Sequence, residues 1–468
     1  MSMKNLSLIS ACLLLGACGS TPAPLDSGLA APSQWRYLAA GRSDASDIRQ
    51  WWKAFGAPEL DSLLQRALLN SQDLGAAVAR VRQAQASAVI AGAPLLPELN
   101  ATLGASRQKL LRDSGYSGTD ATSDNDAVDS FSAGLSASYE VDFWGGRRAA
   151  YRSALESLKA SEYDRATVEL TLLSGVANSY LQVLALREQQ RIARLNLDNA
   201  EHVLRLVETR HAAGSATALE VAQQSSLVAS QRKQLPLLEQ QAHEALITLA
   251  TLIGEPVQAL QVAERPFDSL RWPETGAGLP SELLSRRPDI ANAEAQLAAA
   301  ARAALFPKLT LSASLSSGAN RAADTFRNPY YNLGANLLAP IFNHGRLRAE
   351  RDRSLARQEE LLETYRKAIL TAFADTERSL NSIDGLDRQL HWQQQELEQA
   401  QRAFDLSDSR YQAGAETLLT VLETQRTLYA AQDAAVQLRL ARLQASVGLY
   451  KALGGGWQSD RQGLARKD

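Results

Sequence analysis

Few residues of this 468-residue chain are placed to do chemistry. Its five histidines, His202, His211, His243, His344 and His391, are scattered, and no His-Glu-x-x-His or other metal-ligand spacing joins them. No Gly-x-Ser-x-Gly and no phosphate-binding loop occurs. That pattern speaks against a cell-envelope hydrolase and implies no cofactor. The only cysteines are Cys12 and Cys18, so the body of the chain has no disulfide framework and no Cys-based metal site. The one side chain set up for covalent modification is Cys18. Lys4 gives a positive start, Leu6 to Leu15 is an apolar run too short to span a bilayer, and Gly16 and Ala17 lead into the thiol.

Leu15-Gly16-Ala17-Cys18 resembles the bacterial lipobox, in which a peptidase cuts before a Cys already lipidated through sulfur. Residues 1–17 are then a lipoprotein signal peptide, and 18–47, rich in Pro, Ala, Ser and Gly, a lipidated tether with no core of its own. The alternative is an ordinary signal peptide cut elsewhere. Gly19, where Asp would favour inner-membrane retention, points to the outer membrane. Each buried acyl methylene adds about 0.8 kcal/mol, so several chains on one Cys anchor stably.

The elements that carry everything else are helical and duplicated. Net charge is −2, which gives no broad basic field for nucleic acid. Ala, Leu, Gln, Glu and Arg dominate, the composition of long helices. Arg210-His-Ala-Ala-Gly214-Ser-Ala-Thr217-Ala-Leu219-Glu-Val221 recurs two hundred positions later as Arg410-Tyr-Gln-Ala-Gly414-Ala-Glu-Thr417-Leu-Leu419-Thr-Val421. Each copy lies between long runs of helical pattern. The Gly ends one helix in the left-handed conformation, and Thr217 or Thr417 can cap the next. Ile383, Leu390, Leu397, Phe404 and Tyr411 recur every seven residues, as do Leu422, Tyr429, Val436, Leu443 and Tyr450. A strict seven-residue repeat on both arms makes this second hairpin a left-handed coiled coil with a narrow seam.

The first repeat covers 48–253. It opens with Trp51-Trp52-x-x-Phe55 and a helix from Pro58 to about Gly92. Alternation of small polar and apolar residues then predicts strands over about 99–106 and 131–141, weakly hydrophobic, as for one face on lipid and one on water. Phe143 and Trp144 follow as candidate interfacial anchors. A long hairpin comes next, with its tip near 210–217 and with Pro236 expected to kink or offset its return arm. Residues 254–280 are an irregular equatorial connector. The second repeat, 281–453, carries a helix from Pro288, strands over about 309–316 and 331–338, and a hairpin with its tip near 410–417; residues 454–468 are a tail. Asp73 to Pro97 spans 24 positions but the corresponding Asp289 to Pro307 only 18, so the second copy is shorter there.

Together, Trp51-Trp52-x-x-Phe55, Arg287-Pro288-Asp289, Phe342 to Arg346, the paired Arg-x-x-x-Gly tips and the closing Tyr450-Lys-Ala-Leu-Gly-Gly-Gly-Trp457 resemble the TolC-like outer membrane factor family. The likeness is to its NodT-like lipoprotein branch, which serves tripartite RND-type efflux pumps, and it covers nearly the whole mature chain. It implies a mainly α fold with a membrane β part. Three protomers would each give four strands to a shared twelve-stranded barrel, continued by a periplasmic α-helical barrel. An open sheet edge in lipid leaves backbone groups unpaired, so four strands alone also demand oligomerisation. The resemblance further implies an outer membrane exit duct for drugs or other small molecules. Its partners would be a homotrimer of itself, outer membrane lipid, a periplasmic adaptor and an inner-membrane transporter. By the same likeness, Tyr411, Leu419 and Glu423 form the channel gate. Three-fold symmetry would gather three Glu423 carboxylates into a ring that attracts cations and repels itself, while Gln223 holds the matching place in the first copy. The resemblance also implies that the two tips, through Arg210, Gly214, Thr217, Leu219, Val221, Arg410, Gly414, Thr417, Leu419 and Val421, would dock the adaptor. A type I protein-secretion channel and a coiled-coil spacer lipoprotein without strands are the alternatives.

Overall fold

A computed structural model describes residues 27–37, 50–109, 127–273, 276–299, 308–339 and 341–457. Cys18, the polar stretch around 113–126 and the end of the tail lie outside them.

The duplication is visible throughout. In the first repeat, helices α1 (Pro58–Asn70) and α2 (Gln72–Gly92) precede strands β1 (Glu98–Gln108) and β2 (Val128–Val141). The hairpin α3 (Gly146–Ala212) and α4 (Ala218–Ile253) follows. The second repeat has α5 (Pro280–Arg286), α6 (Pro288–Ala298), β3 (Lys308–Ala319), β4 (Pro329–Leu338), α7 (Arg346–Gln412) and α8 (Leu418–Ala452). The descending helices α3 and α7 each hold 67 residues, about 100 Å at 1.5 Å per residue. Helix α4 runs unbroken through Pro236.

Two expectations need correction. The single helix expected from Pro58 to Gly92 is a pair, and a further short helix precedes the one that opens at Pro288 as expected. Ser71, in extended backbone with its side chain accepting from the Leu74 N–H, divides α1 from α2, and Arg287 divides α5 from α6. The tether is not wholly without a core. Trp35 is 5% exposed, its indole N–H donates to Gly278 O at 3.0 Å, and its ring meets Phe373 edge-on. Arg366 donates to Ser27 O and the Arg36 N–H to Glu377, so residues 27–36 strap along α7.

The four strands form one antiparallel sheet in the order β1-β2-β3-β4, with β2 against β3 joining the repeats. Register puts Leu99, Leu103, Leu135, Leu311, Leu315, Leu333 and Leu337 on one face and Thr102, Ser136, Ser312, Ser314 and Asn332 on the other. Among the described residues nothing covers the leucines, and β1 and β4 each end the sheet with an unpaired edge. Such a sheet is stable in lipid only when its edges are paired. A coiled-coil spacer without strands is excluded by this sheet.

The main core lies at the waist, where the repeats meet. Trp51 stacks on Tyr450 with ring centres 5.2 Å apart, and Phe55, Leu60, Leu64, Tyr180, Leu249, Ile253, Leu443 and Val447 fill the space around them. Arg287, buried, donates to Asp289 (2.6 Å), Asp375 (3.3 Å) and the Ala452 carbonyl (3.3 Å). The desolvation that would lower its pKa is outweighed by those partners, and the guanidinium stays charged. Sequence motifs at the two ends of the chain thus close on each other.

Candidate functional site

The two tips have the same main-chain geometry. Gly214 and Gly414 both sit at φ +75°, and Ser215 N–H and Ala415 N–H reach back to the carbonyls of Arg210 and Arg410, each at 2.8 Å. This is the helix-ending loop that only Gly adopts without strain. Their caps differ. Thr217 forms a full capping box with Glu220, but Thr417 makes no side-chain cap, because Thr420 stands where Glu220 does. Glu416 serves instead. It accepts from the Thr417 N–H and the Thr420 hydroxyl, bonds that hold its carboxyl below the usual range.

Leu219 and Leu419 are each 66% exposed, the same place on each tip. Glu423, one turn beyond Leu419, is also exposed, so these two share a wetted face. Tyr411 is not with them. It is buried, and burial pushes its phenol above the ordinary range, so it stays neutral. Val421 is fully buried and Val221 half-buried, both as packing under the tips.

What the sequence did not disclose is how the tips are joined. The Arg210 guanidinium lies 4.4 Å from the Tyr411 ring centre and donates to the carbonyls of Tyr411 (2.7 Å) and Gln412 (3.0 Å). Those carbonyls end α7 and carry the negative pole of its dipole, which suits a cation. Higher up the same interface, Tyr429 donates to Asn196 O at 2.9 Å and Gln189 to Asp433 at 2.5 Å. The first repeat's descending helix is therefore bonded to the second hairpin at three levels. Only the Arg in both copies hinted at this.

Among the described residues, no group of three or more His, Cys, Asp or Glu is gathered to hold a metal, and no helix is long and apolar enough to cross a membrane. The features that remain are a lipid-ready sheet, two long hairpins and their tips.

Comparison with known proteins agrees with this geometry. The family described as outer membrane efflux protein matches residues 63–255 and 279–455. The pyoverdine export outer membrane protein OpmQ of Pseudomonas aeruginosa is 98% identical over 474 aligned positions, covering all of both chains. Its namesake in Pseudomonas putida is 58% identical over 98% of each. Of solved structures, the outer-membrane channel OprN superposes with a TM-score of 0.86 at 26% identity, over 94% of this chain and 100% of its own. The open state of the Neisseria gonorrhoeae MtrE channel gives 0.80 at 27%, over 94% and 98%.

Proposed function

This chain belongs to the outer membrane efflux protein family, and from that membership we propose that it is the lipid-anchored duct by which a tripartite pump exports pyoverdine. It is an outer membrane efflux channel, not an enzyme, and works as a trimer with an adaptor and an inner-membrane pump. The substrate reading rests on one observation, the 98% identity to a pyoverdine exporter along the full length of both chains. The physical fit is that of a passive pipe. The sheet offers leucines to lipid and hydroxyls to the lumen, and the hairpins offer a wall wetted on its outer faces.

The test is complementation. In cells lacking their own pyoverdine channel, this protein is expected to return pyoverdine to the medium and clear it from the periplasm. Accumulation in the periplasm despite normal trimers would overturn the substrate assignment. Intact mass of the mature protein is expected to start at Cys18 with added acyl mass, which Cys18→Ser removes.

The gate, in this reading, is the exposed strip of Leu419 and Glu423 at the second tip, held by Tyr411 behind it. Three-fold symmetry makes it a ring of apolar contacts under a ring of carboxylates. Leu419→Ala and Glu423→Gln are expected to raise single-channel conductance in planar bilayers, with Glu423→Gln also weakening the preference for cations. Unchanged conductance and selectivity in both variants would sink this assignment.

A further inference from the structure

The two hairpins share a backbone plan but not a seam. In the second, Gln393 is buried and its amide donates to the Ala431 carbonyl at 3.1 Å, so a long side chain fills the space between α7 and α8. At the matching places the first repeat has Ala193 and Gln231. The filler is gone, and a cavity of about 160 Å³ lies there, walled by α3, α4 and α8. Pro236 stands in the same stretch of α4, where the second repeat has Val436, and it leaves the Arg232 carbonyl without its ladder donor. The lining is polar and largely unsatisfied. Asn196 is 4% exposed, and its Oδ1 finds no partner. Among the described residues the side chains of Gln231 and Gln234 bond to nothing. Asp433, half-buried, also lines the cavity. Its carboxylate accepts from the amides of Gln189 (2.5 Å) and Gln437 (2.6 Å), and among the described residues it has no cationic partner. Arg191, Arg194 and Arg232, on the turns around it, are paired with Glu188, Glu239 and Glu201.

We propose that this cavity is a binding site for a short aliphatic ammonium ion, with Asp433 as its counter-charge. Each carboxylate oxygen has two lone pairs and uses one of them on an amide, so acceptor positions remain. An ammonium N–H placed there makes a charge-assisted bond, which the neutral amides of Gln189 and Gln437 cannot match. The amide oxygens of Gln231 and Gln234 take further N–H donors, and Ile192, Leu238 and the Tyr429 ring give the methylenes an apolar strip. Size narrows the class. A cavity near this volume takes a guest the size of benzene, about six heavy atoms, which is a four-carbon diamine. An anion would be repelled by Asp433, and a sugar would leave its charge unanswered. The site lies on the Gln189–Asp433 bond between the repeats, so an occupant adds a second tie between α3 and α8.

The site is built within one protomer and is indifferent to what the channel exports, so its failure leaves the channel reading intact. The full-length trimer in detergent is titrated by isothermal calorimetry with putrescine, a four-carbon diamine, and separately with the diol of equal length. Saturable binding of the diamine, one per protomer, is expected, and none of the diol. Asp433→Asn is expected to weaken the diamine about 10- to 100-fold, the scale of a hydrogen bond to a charged group. Ala193→Gln with Gln231→Ala copies the filled seam of the second repeat into the first. That pair should abolish binding while native mass and melting temperature stay those of the parent trimer. Should Asp433→Asn fail to assemble, the pair decides. No saturable heat with the parent trimer would mean a void that holds water only, and would overturn the site. Equal binding of the diol, or unchanged affinity in an assembled variant, would overturn it too, because the diamine would then sit elsewhere.

Discussion

Gly214→Trp and Gly414→Trp are expected to abolish pump assembly while leaving the trimer in place. Both glycines sit at φ +75°, where an L-residue costs roughly 1–2 kcal/mol. A Cβ added at either position meets nothing within 4 Å. The new indole therefore has no core to disturb and must project from the tip. The local penalty is confined to one turn, whereas the waist holds the fold with Trp51 on Tyr450 and Arg287 among its carboxylates. Docking is more sensitive. We take the tips as the adaptor's landing site, where a partner's helical hairpin seats against close-packed turns. Three new tryptophans per trimer in either variant would hold the two rings apart. The measurement pairs heat-modifiable trimer on gels with adaptor crosslinking in cells. Trimer is expected to persist, crosslinking to vanish, and export to fall with it. Gly→Ala at the same sites adds the strain without the bulk and should keep most of the crosslinking. Full crosslinking by both Trp variants would remove the tips from the docking surface.

How much of this could be read beforehand follows from what repeats. Period two over 99–106 and 309–316 and period seven along α7 and α8 are set by geometry local to each segment, so strands and hairpins were legible. The break at Ser71 and the short helix that ends before Arg287 were not. Helical spacing continues across Ser71, and the turn there is fixed by one extended residue. Nor was the strap. Trp35 stands in a stretch of linker composition, and what buries it is Gly278 and Phe373, hundreds of residues away. The seam of α7 was half seen. Between its apolar heptad positions lie buried Gln393 and Ser407. The amide of Gln393 donates to the Ala431 carbonyl across the hairpin, a polar register pin that an apolar scan passes over. The shorter second copy was legible as a count but not as a cause. Helix α2 holds 21 residues and α6 only 11. The alignment to the Pseudomonas aeruginosa exporter runs six positions beyond this chain's length, the same number by which Asp289 to Pro307 falls short of Asp73 to Pro97. Six helical residues are about 9 Å and not a whole number of turns, so such a difference moves the helix face as well as its end.

Gly254→Ala and Gly454→Ala are expected to be the most damaging single-methyl changes in the chain. The two residues are equivalents in the duplication. Each ends a returning helix in the left-handed region, at φ +79° and +89°. Each also lies against the last carbonyl of its repeat's first short helix. A Cβ on Gly254 would stand 2.4 Å from the oxygen of Asn70, and one on Gly454 2.0 Å from that of Arg286. Those are main-chain atoms, so no rotamer relieves them. Relief requires sliding α1 off α4, or α5 off α8. The first movement breaks the ion pair of Arg66 with Glu255, and the second shifts Arg287 away from Asp375 and Ala452. Strain of roughly 1–2 kcal/mol from the backbone is thus joined by main-chain overlap in both variants, and in Gly454→Ala also by loss of the partners of buried Arg287, which places Gly454→Ala among the exceptional losses above about 4 kcal/mol and Gly254→Ala close behind it. Gly56→Ala is the control. Gly56 has φ +67° but open space around its Cβ, so only the backbone term applies. Thermal unfolding followed by circular dichroism, with trimer yield, should show Gly56→Ala close to the parent and the other two without stable trimer. Equal melting shifts in all three would mean that the waist yields to a methyl, and that the repeats are not locked there by backbone contact.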